Sequence, residues 1–338
     1  MSPSLSQGQL NLSIVIVSFN TRDLTCKCIQ SIIDNTHGIT YEIILIDNNS
    51  QDSTVESALQ AFPSIKIIQN YSNVGFSAAN NQGINIAGGD YILLLNSDTI
   101  VLDDSITKLT SYARYKGLGC AVAPILLNQD FSLQQSFYQF PNLPKIILNA
   151  TGLSPLVKNL LCLPVLSTLT DRLFPLVNLT RSADSLPYEF TTDYVLFAAI
   201  MLPTSLIKEV GPLDENMPFY HEDCEYGYRL ATKGKAIWVY SDAKIIHLGG
   251  GSSRSVTKTA YRNYFVCLIY FYKKHYSLLS NLLLIFFVKA LFILKIVFAL
   301  FNRSTYLYIP SNYKQSPSVS VFTGKSDRIK YYIDFLSL

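Results

Sequence analysis

Four short, almost unbroken apolar runs constrain this chain more than anything else in it: LSIVIVSF at 12 to 19, YEIILI at 41 to 46, IKII at 65 to 68 and YILLL at 91 to 95. Runs of four to eight residues, rich in β-branched side chains and bounded by turn formers, read as strands buried on both faces, as in a parallel sheet. The stretches between them are amphipathic and of crossover length. Asn20 or Thr21 stands where a helix cap belongs, Leu24, Cys28 and Ile32 then recur every four residues, and Gly38 stands where the helix would end. The expectation is a doubly wound α/β half-sheet made of strand-helix-strand units.

Beyond Pro124 the pattern weakens. Residues 141 to 187 carry Pro141, Pro144, Pro155, Pro164, Pro175 and Pro187 among leucine-rich pieces and read as an apolar insertion. Patterning resumes with an apolar run from Phe190 to Leu202, a polar loop, a helix from about Glu222 and a strand around Ile237 to Tyr240. Residues 278 to 301 are almost wholly Leu, Ile, Phe, Val and Ala, broken only by Ser280, Asn281, Lys289 and Lys295. The stretch is long enough to cross a bilayer. Its two central lysines nearly cancel the insertion energy of its apolar residues, which favours an interfacial or re-entrant helix with snorkelling lysines over a full span. A helix packed in a core is the other reading. The division is then a tail at 1–10, an α/β domain at 11–256 holding the insertion, and a membrane-associating helical region at 257–338.

With 338 residues, 49% of them apolar, the chain can bury a substantial core. A net charge of +3, spread along the sequence, gives no reason to expect a nucleic-acid partner. The six cysteines, at 26, 28, 120, 162, 224 and 267, lack metal-site spacing and read as reduced thiols of a cytosolic protein. Met1 to Gln9 has neither the basic start nor the apolar stretch of a signal peptide, so export is not expected.

In open parallel sheets ligands bind beyond the carboxyl ends of the strands. Here those ends carry Ser18-Phe19-Asn20, Asp47-Asn48-Asn49-Ser50 and Asn96-Ser97-Asp98-Thr99. Asp47 suits hydrogen bonds from a nucleobase or ribose, and equally an Asx turn. Asp98 suits a divalent cation, or a plain strand-end cap. A second cluster, His221-Glu222-Asp223-Cys224-Glu225, opens the predicted helix, with Arg229 four residues past Glu225. Helix-dipole complementation and a Glu225–Arg229 pair account for part of it. One carboxylate remains for general-base work, kept ionised near neutral pH by the positive helix end. His247 precedes Gly249, Gly250, Gly251, Ser252 and Ser253, a loop whose backbone can approach a phosphate closely.

In this order the pieces resemble family 2 glycosyltransferases, in particular the bacterial rhamnosyltransferase and galactofuranosyltransferase branch. The resemblance runs from about residue 12 to 276 through IVIVSFN at 14, LIDNNSQDST at 45, NVGFSAANNQG at 73, YILLLNSDT at 91, VGPLDENMPFYHEDCEYGYRL at 210, IIHLGGGSS at 245 and YRNYFVCLIYFYKKHYS at 261. It implies the GT-A fold, a Rossmann-like and mostly parallel sheet with flanking helices. It also implies an inverting transfer of a sugar from a nucleotide-diphosphate donor to a hydroxyl of a glycan or lipid-linked acceptor, at the cytoplasmic face of a membrane. Asp47 would contact the donor base, Gly75 and Asn80 shape the nucleotide pocket, and Ser18, Asn20 and Asn96 line the same edge. Asp98 and His247 would hold Mg²⁺ or Mn²⁺, Asp223 would be the base, and Glu222, Gly250 and Ser252 would face acceptor or diphosphate. Asn96 and Ser97 stand where relatives often carry further carboxylates, and Cys224-Glu225-Tyr226 replaces the usual acidic run. No GxGxxG follows the first strand, which argues against a dinucleotide oxidoreductase, and no Gly- and Arg-rich loop suggests a nucleotide-sugar pyrophosphorylase. The sole tryptophan, Trp238, lies outside any QxxRW motif of processive synthases, so single-sugar addition is expected. A catalytically inactive scaffold on the same fold is the alternative.

Overall fold

The computed structural model describes residues 11–150, 186–217, 220–249, 257–301 and 325–337. The N-terminal tail and most of the apolar insertion lie outside the described residues. The elements begin β1 (Leu12–Ser18), α1 (Arg22–Asp34), β2 (Tyr41–Asp47), α2 (Thr54–Ala61), β3 (Lys66–Gln69) and α3 (Phe76–Ile86). They continue β4 (Tyr91–Asn96), β5 (Thr99–Val101), α4 (Ser105–Lys116), β6 (Cys120–Leu127), β7 (Phe137–Tyr138) and α5 (Leu143–Ala150). After the insertion come β8 (Glu189–Thr192), β9 (Tyr194–Val195), β10 (Ala199–Pro203), α6 (Thr204–Val210), α7 (Glu222–Thr232) and β11 (Ala236–His247). The C-terminal helices are α8 (Thr257–His275), α9 (Leu278–Leu300) and α10 (Lys325–Asp334), followed by a short 3-10 turn.

The chain divides into two compact units. The first, holding β1 to β11 with α1 to α4, α6 and α7, is built on one sheet in the order β3-β2-β1-β4-β10-β6-β11-β5, with β8 also paired to β11. β1, β2, β3 and β4 run parallel, as the apolar runs require, and β10 enters antiparallel beside β4. Ile14, Ile16, Leu45, Leu93 and Leu95 point into one apolar layer with Cys28, Ile29 and Ile32 of α1. Fully burying each such side chain contributes about 1.5–3 kcal/mol. On the other face α3 presses close to β1, because a Cβ on Gly83 would lie 2.4 Å from a Val15 methyl.

Three local expectations are corrected. α1 ends at Asp34 with Asn35 as its cap, short of Gly38, which takes a left-handed φ of 72° in the following turn. The single run from Phe190 to Leu202 is three strands: β8 joins β11, β9 pairs with β7 in a separate two-stranded sheet, and β10 enters the main sheet. β11 extends well past Tyr240. Its register slips between Tyr240 and Lys244, and the continuation pairs antiparallel with β5, setting His247 opposite Thr99.

The second unit holds α5, His221 and α8 to α10. Phe292 of α9 stacks on Phe335 at 4.0 Å between ring centroids and meets Phe265 of α8 edge-on at 5.5 Å. Leu284, Val288, Leu291, Phe292 and Ala299 form the buried face of α9. The opposite face leaves Leu279, Leu282, Leu283, Phe286, Leu294 and Phe298 exposed. Lys295 does not snorkel: it is buried, with its Nζ 5.8 Å from the Tyr332 ring centroid, and burial pulls its pKa down to about 8.

Candidate active site

The carboxyl ends of β1, β2 and β4 come level at one edge of the sheet, Ser18 registering with Asp47 and Val17 with Asn96. The loops that follow are tied by their own polar side chains. Asn20, with φ 53°, accepts from Gln51 N through Oδ1 at 2.7 Å, and its N–H donates to Ser50 Oγ at 2.8 Å. Asparagine tolerates the left-handed region better than other non-glycine residues, which suits Asn20 and likewise Asn49 at φ 68°.

Asp47 is fully buried. Its Oδ2 accepts from Ser50 N at 2.8 Å, closing an Asx turn, while Oδ1 is buried with no hydrogen-bond partner among the described residues. A buried carboxylate oxygen left unpaired is costly, so a donor arriving from a ligand is favoured there. Asn48 links this strand end to α3: its Nδ2 donates to Gly75 O at 3.3 Å and its Oδ1 accepts from Asn70. Gly75 caps α3 with φ 89°, a backbone state that favours glycine.

Other candidate donor-side residues are held by their own fold. The Ser18 hydroxyl bonds Thr21 and Thr25, and Thr21 continues the chain to Ser97. Asn80 is buried and donates to Phe76 O one turn back in α3. Asn96 receives the Thr99 hydroxyl on its carbonyl. The neighbouring Asn81, which the sequence did not single out, exchanges hydrogen bonds with both backbone groups of Leu213 and so ties α3 to the loop before α7.

β5 and β11 bring Asp98 and His247 together from 149 positions apart, Nε2 to Oδ1 at 3.3 Å, both side chains buried. Leu248 N donates to Asp98 O at 2.9 Å and fastens the two strand ends. Ligand atoms at right angles around an octahedral Mg²⁺-sized ion lie about 3 Å apart, so one oxygen and one imidazole nitrogen at this spacing fit a shared cation. Among the described residues no three His, Cys, Asp or Glu side chains converge. Gly250 and Ser252 lie outside the described residues.

α7 carries the acidic cluster. Glu225 is fully buried, and Arg229 Nε reaches both its oxygens at 2.9 and 3.0 Å, while the guanidinium also donates to Val210 O and Pro212 O. Asp223 is buried and its Oδ1 accepts from Cys224 N at 2.7 Å. Desolvation raises its pKa to about 7, against the lowering effect of backbone hydrogen bonds. Burial thus works against the expected effect of the helix end, favouring the protonated carboxyl that the helix end disfavours. Desolvation, and after it the nearby charge of Asp223, drives the phenol pKa of buried Tyr138 up. Glu222 is half-buried at the first position of the helix. Just before it, Tyr220 and His221 take φ values of 79° and 64°. Left-handed bulky residues cost about 1–3 kcal/mol each and gather at functional sites. His221 is buried with its ring 4.8 Å from that of Tyr264, and burial pushes its pKa down to about 3, so it is neutral.

Residues 13–156 match the Glycosyl transferase family 2 model. N-acetylglucosaminyl-diphospho-decaprenol L-rhamnosyltransferase of Mycobacterium tuberculosis (strain CDC 1551 / Oshkosh) is 26% identical over 219 residues, which cover 61% of this chain and 66% of that protein. Among solved structures, GalNAc-T7 with UDP, GalNAc and Mn²⁺ superposes with a TM-score of 0.53 at 15% identity, over 98% of this chain and 55% of that one. Mannosyltransferase PcManGT from Pyrobaculum calidifontis, in complex with GDP-Man and Mn²⁺, gives 0.52 at 11% identity, over 79% and 64%. The sheet is thus the mostly parallel GT-A sheet of these neighbours, and over residues 13–156 the chain is similar to the family 2 glycosyltransferases.

Proposed function

We propose that the protein is an inverting, metal-dependent glycosyltransferase that moves a sugar from a nucleotide-diphosphate donor to an acceptor hydroxyl on a lipid-linked or cell-surface glycan. The observation that carries the reading is Asp223: a buried carboxyl at a helix start, poised near neutrality, on a fold whose sheet edge offers an orphan carboxylate oxygen and an Asp–His pair. Asp47 Oδ1 takes a hydrogen bond from the donor's base, beside Gly75 and the edge formed by Ser18, Asn20 and Asn96. Asp98 and His247 hold Mg²⁺ or Mn²⁺, which supplies Lewis-acid neutralisation of the diphosphate. The Mn²⁺ named for two fold neighbours supports this choice of ion.

Asp223 accepts the acceptor's O–H proton as that oxygen attacks the anomeric carbon, and the bond from that carbon to the diphosphate oxygen breaks with its electron pair leaving on the diphosphate. One displacement inverts the centre. General-base catalysis of this kind contributes about 10²- to 10⁴-fold. Glu222, Gly250 and Ser252 face the acceptor or the diphosphate. The rhamnosyltransferase relative, whose name specifies a polyprenyl diphosphate-linked sugar, supports a lipid-linked acceptor. The exposed apolar face of α9 supports a place at the surface of a membrane, and a lipid-linked acceptor built from cytosolic nucleotide sugars places the enzyme on its cytoplasmic face.

The test is turnover of a panel of nucleotide sugars by the full chain, with Mn²⁺ or with excess chelator. Release of nucleoside diphosphate from one donor, abolished by chelator and strongly reduced in Asp98→Ala and His247→Ala, is expected. A chain that hydrolyses or transfers none of them would support an inactive scaffold, and full activity in chelator would remove the metal from the mechanism.

A further inference from the structure

His247 has a partner on each ring nitrogen. Nε2 faces Asp98, and Nδ1 lies 2.7 Å from Gln134 Oε1. Which nitrogen carries the proton follows from how Gln134 is held. Its amide nitrogen sits 3.0 Å from Asn128 Oδ1 and 3.0 Å from the carbonyl oxygen of His247 itself, both acceptors. Asn128 is oriented in turn, its Nδ2 donating to Ser132 Oγ at 2.8 Å. The backbone N–H of Gln134 donates to Leu126 O at 2.8 Å. With both N–H groups of the amide taken by acceptors, flipping it would set oxygen against oxygen twice, so Oε1 is the atom that meets the ring. An acceptor at Nδ1 requires a proton there. The lone pair of the neutral ring is then on Nε2, aimed at a carboxylate oxygen 3.3 Å away, an arrangement that is repulsive unless something positive is shared between the two.

We propose that Gln134 is a positioning residue of this site, fixing His247 in the Nδ1–H tautomer and so presenting Nε2 with Asp98 as a ready-made pair of donors for a divalent cation. The inference rests on the reading of Asp98 and His247 as the cation site. Gln134 comes from the loop after β6, and none of the sequence motifs includes it. Second-layer partners of metal-bound histidines work in this way, and their loss typically weakens metal affinity 10- to 100-fold.

The experiment measures Mn²⁺ binding to the full-length protein, without nucleotide, by the loss of the free-ion electron paramagnetic resonance signal, alongside thermal unfolding. Gln134→Leu removes the acceptor and the two donors. Gln134→Glu keeps an acceptor for Nδ1–H but loses the donors to Asn128 and His247 O. Tautomer control predicts a 10- to 100-fold loss for Gln134→Leu and binding within about threefold of wild type for Gln134→Glu. Equal losses in both variants would mean that the amide merely anchors its loop, and would overturn the inference. Should Gln134→Leu fail to fold, long-range nitrogen–proton correlations of the His247 ring in the Mg²⁺-saturated wild-type protein decide: a proton on Nδ1 is expected, and one on Nε2 overturns the inference. Wild-type binding that His247→Ala abolishes but Gln134→Leu leaves intact would overturn this inference alone. No wild-type Mn²⁺ binding would overturn it together with the metal site.

Discussion

A carboxyl group whose pKa burial lifts from 3.8 to about 7 can be followed in two independent ways at position 223. Only the ionised form takes a proton, so turnover should climb with pH through about 7 and level off above it, if Asp223 is the base. Asp223→Asn keeps the shape and removes the acceptor site. It should leave less than about a tenth of wild-type turnover with donor affinity nearly intact, and a larger residue of activity would assign the base elsewhere. Stability moves the opposite way. Below about pH 4 the group is neutral folded and unfolded, and its contribution is fully present. As pH rises the unfolded chain ionises first, and the contribution is lost by the time pH passes the folded pKa near 7. Asp223→Asn has no such loss, so at pH 8 it should resist urea better than wild type, by up to about 4 kcal/mol, with the advantage shrinking toward pH 5. A variant that is inactive and also less stable at pH 8 would point to a structural role for this carboxyl.

At the scale of elements, the position of α7 depends on a residue with no side chain. A Cβ on Gly227 would lie 2.7 Å from Asp193 O and 2.7 Å from Tyr194 Cβ, so Gly227→Ala must push the helix away from β9 or shift the strand. Overpacking of this kind costs about 1–3 kcal/mol. Because Asp223 rides on the same helix one turn earlier, turnover should fall at least tenfold in a protein that still melts cooperatively; unchanged kinetics would show that α7 tolerates the shift. The strands with continuous apolar runs, β1, β2 and β4, were legible because burial on both faces leaves a composition that few other structures share. β6 was obscured by Pro124, which argues against a central strand, yet it sits opposite Tyr240 where the register of β11 breaks and the missing N–H does least harm. β5 is only three residues long, too short for any period to register, so the pairing of His247 with Asp98 was legible through the family resemblance and not through periodicity. Asp47, Asp98 and His247 could be picked out one at a time from strand ends, while the helix start left the base as one carboxylate of its acidic cluster, which the family resemblance assigned to Asp223. Gln134 could not, since a lone glutamine on a loop has no pattern and its role exists only through two long-range contacts.

For the molecule as a whole, the open question is where it works, and α9 frames it. The mean hydropathy of its most apolar 18 residues is 2.7, and only a third of that stretch is buried within the chain. The buried share is one face, set against α8, Tyr332 and Phe335. The exposed share is a stripe from Leu279 through Leu283 and Phe286 to Leu294 and Phe298, an arrangement that suits a helix lying in the headgroup region more than one surrounded by lipid. With Lys295 covered by its own unit, half-buried Lys289 is the basic residue left to reach the interface from the middle of the helix. Removing everything after Tyr276 would test this poorly, because it would strip Phe292 and Phe335 from Phe265 and expose apolar surface on α8. Substitution on the exposed stripe is cleaner. Leu283→Lys combined with Phe286→Lys withdraws two side chains worth about 1.5–3 kcal/mol each, a weakening of partition by roughly 10²- to 10⁴-fold, and touches none of the buried face. The wild-type chain should sediment with membranes and stay there in high salt, while the double variant moves to the soluble fraction with its melting temperature nearly unchanged. Leu284→Lys, one position away on the buried face, should instead lower the melting temperature. Wild-type protein found in the soluble fraction without detergent would rule out the membrane role, and a double variant that still sediments would mean that some other segment is the anchor.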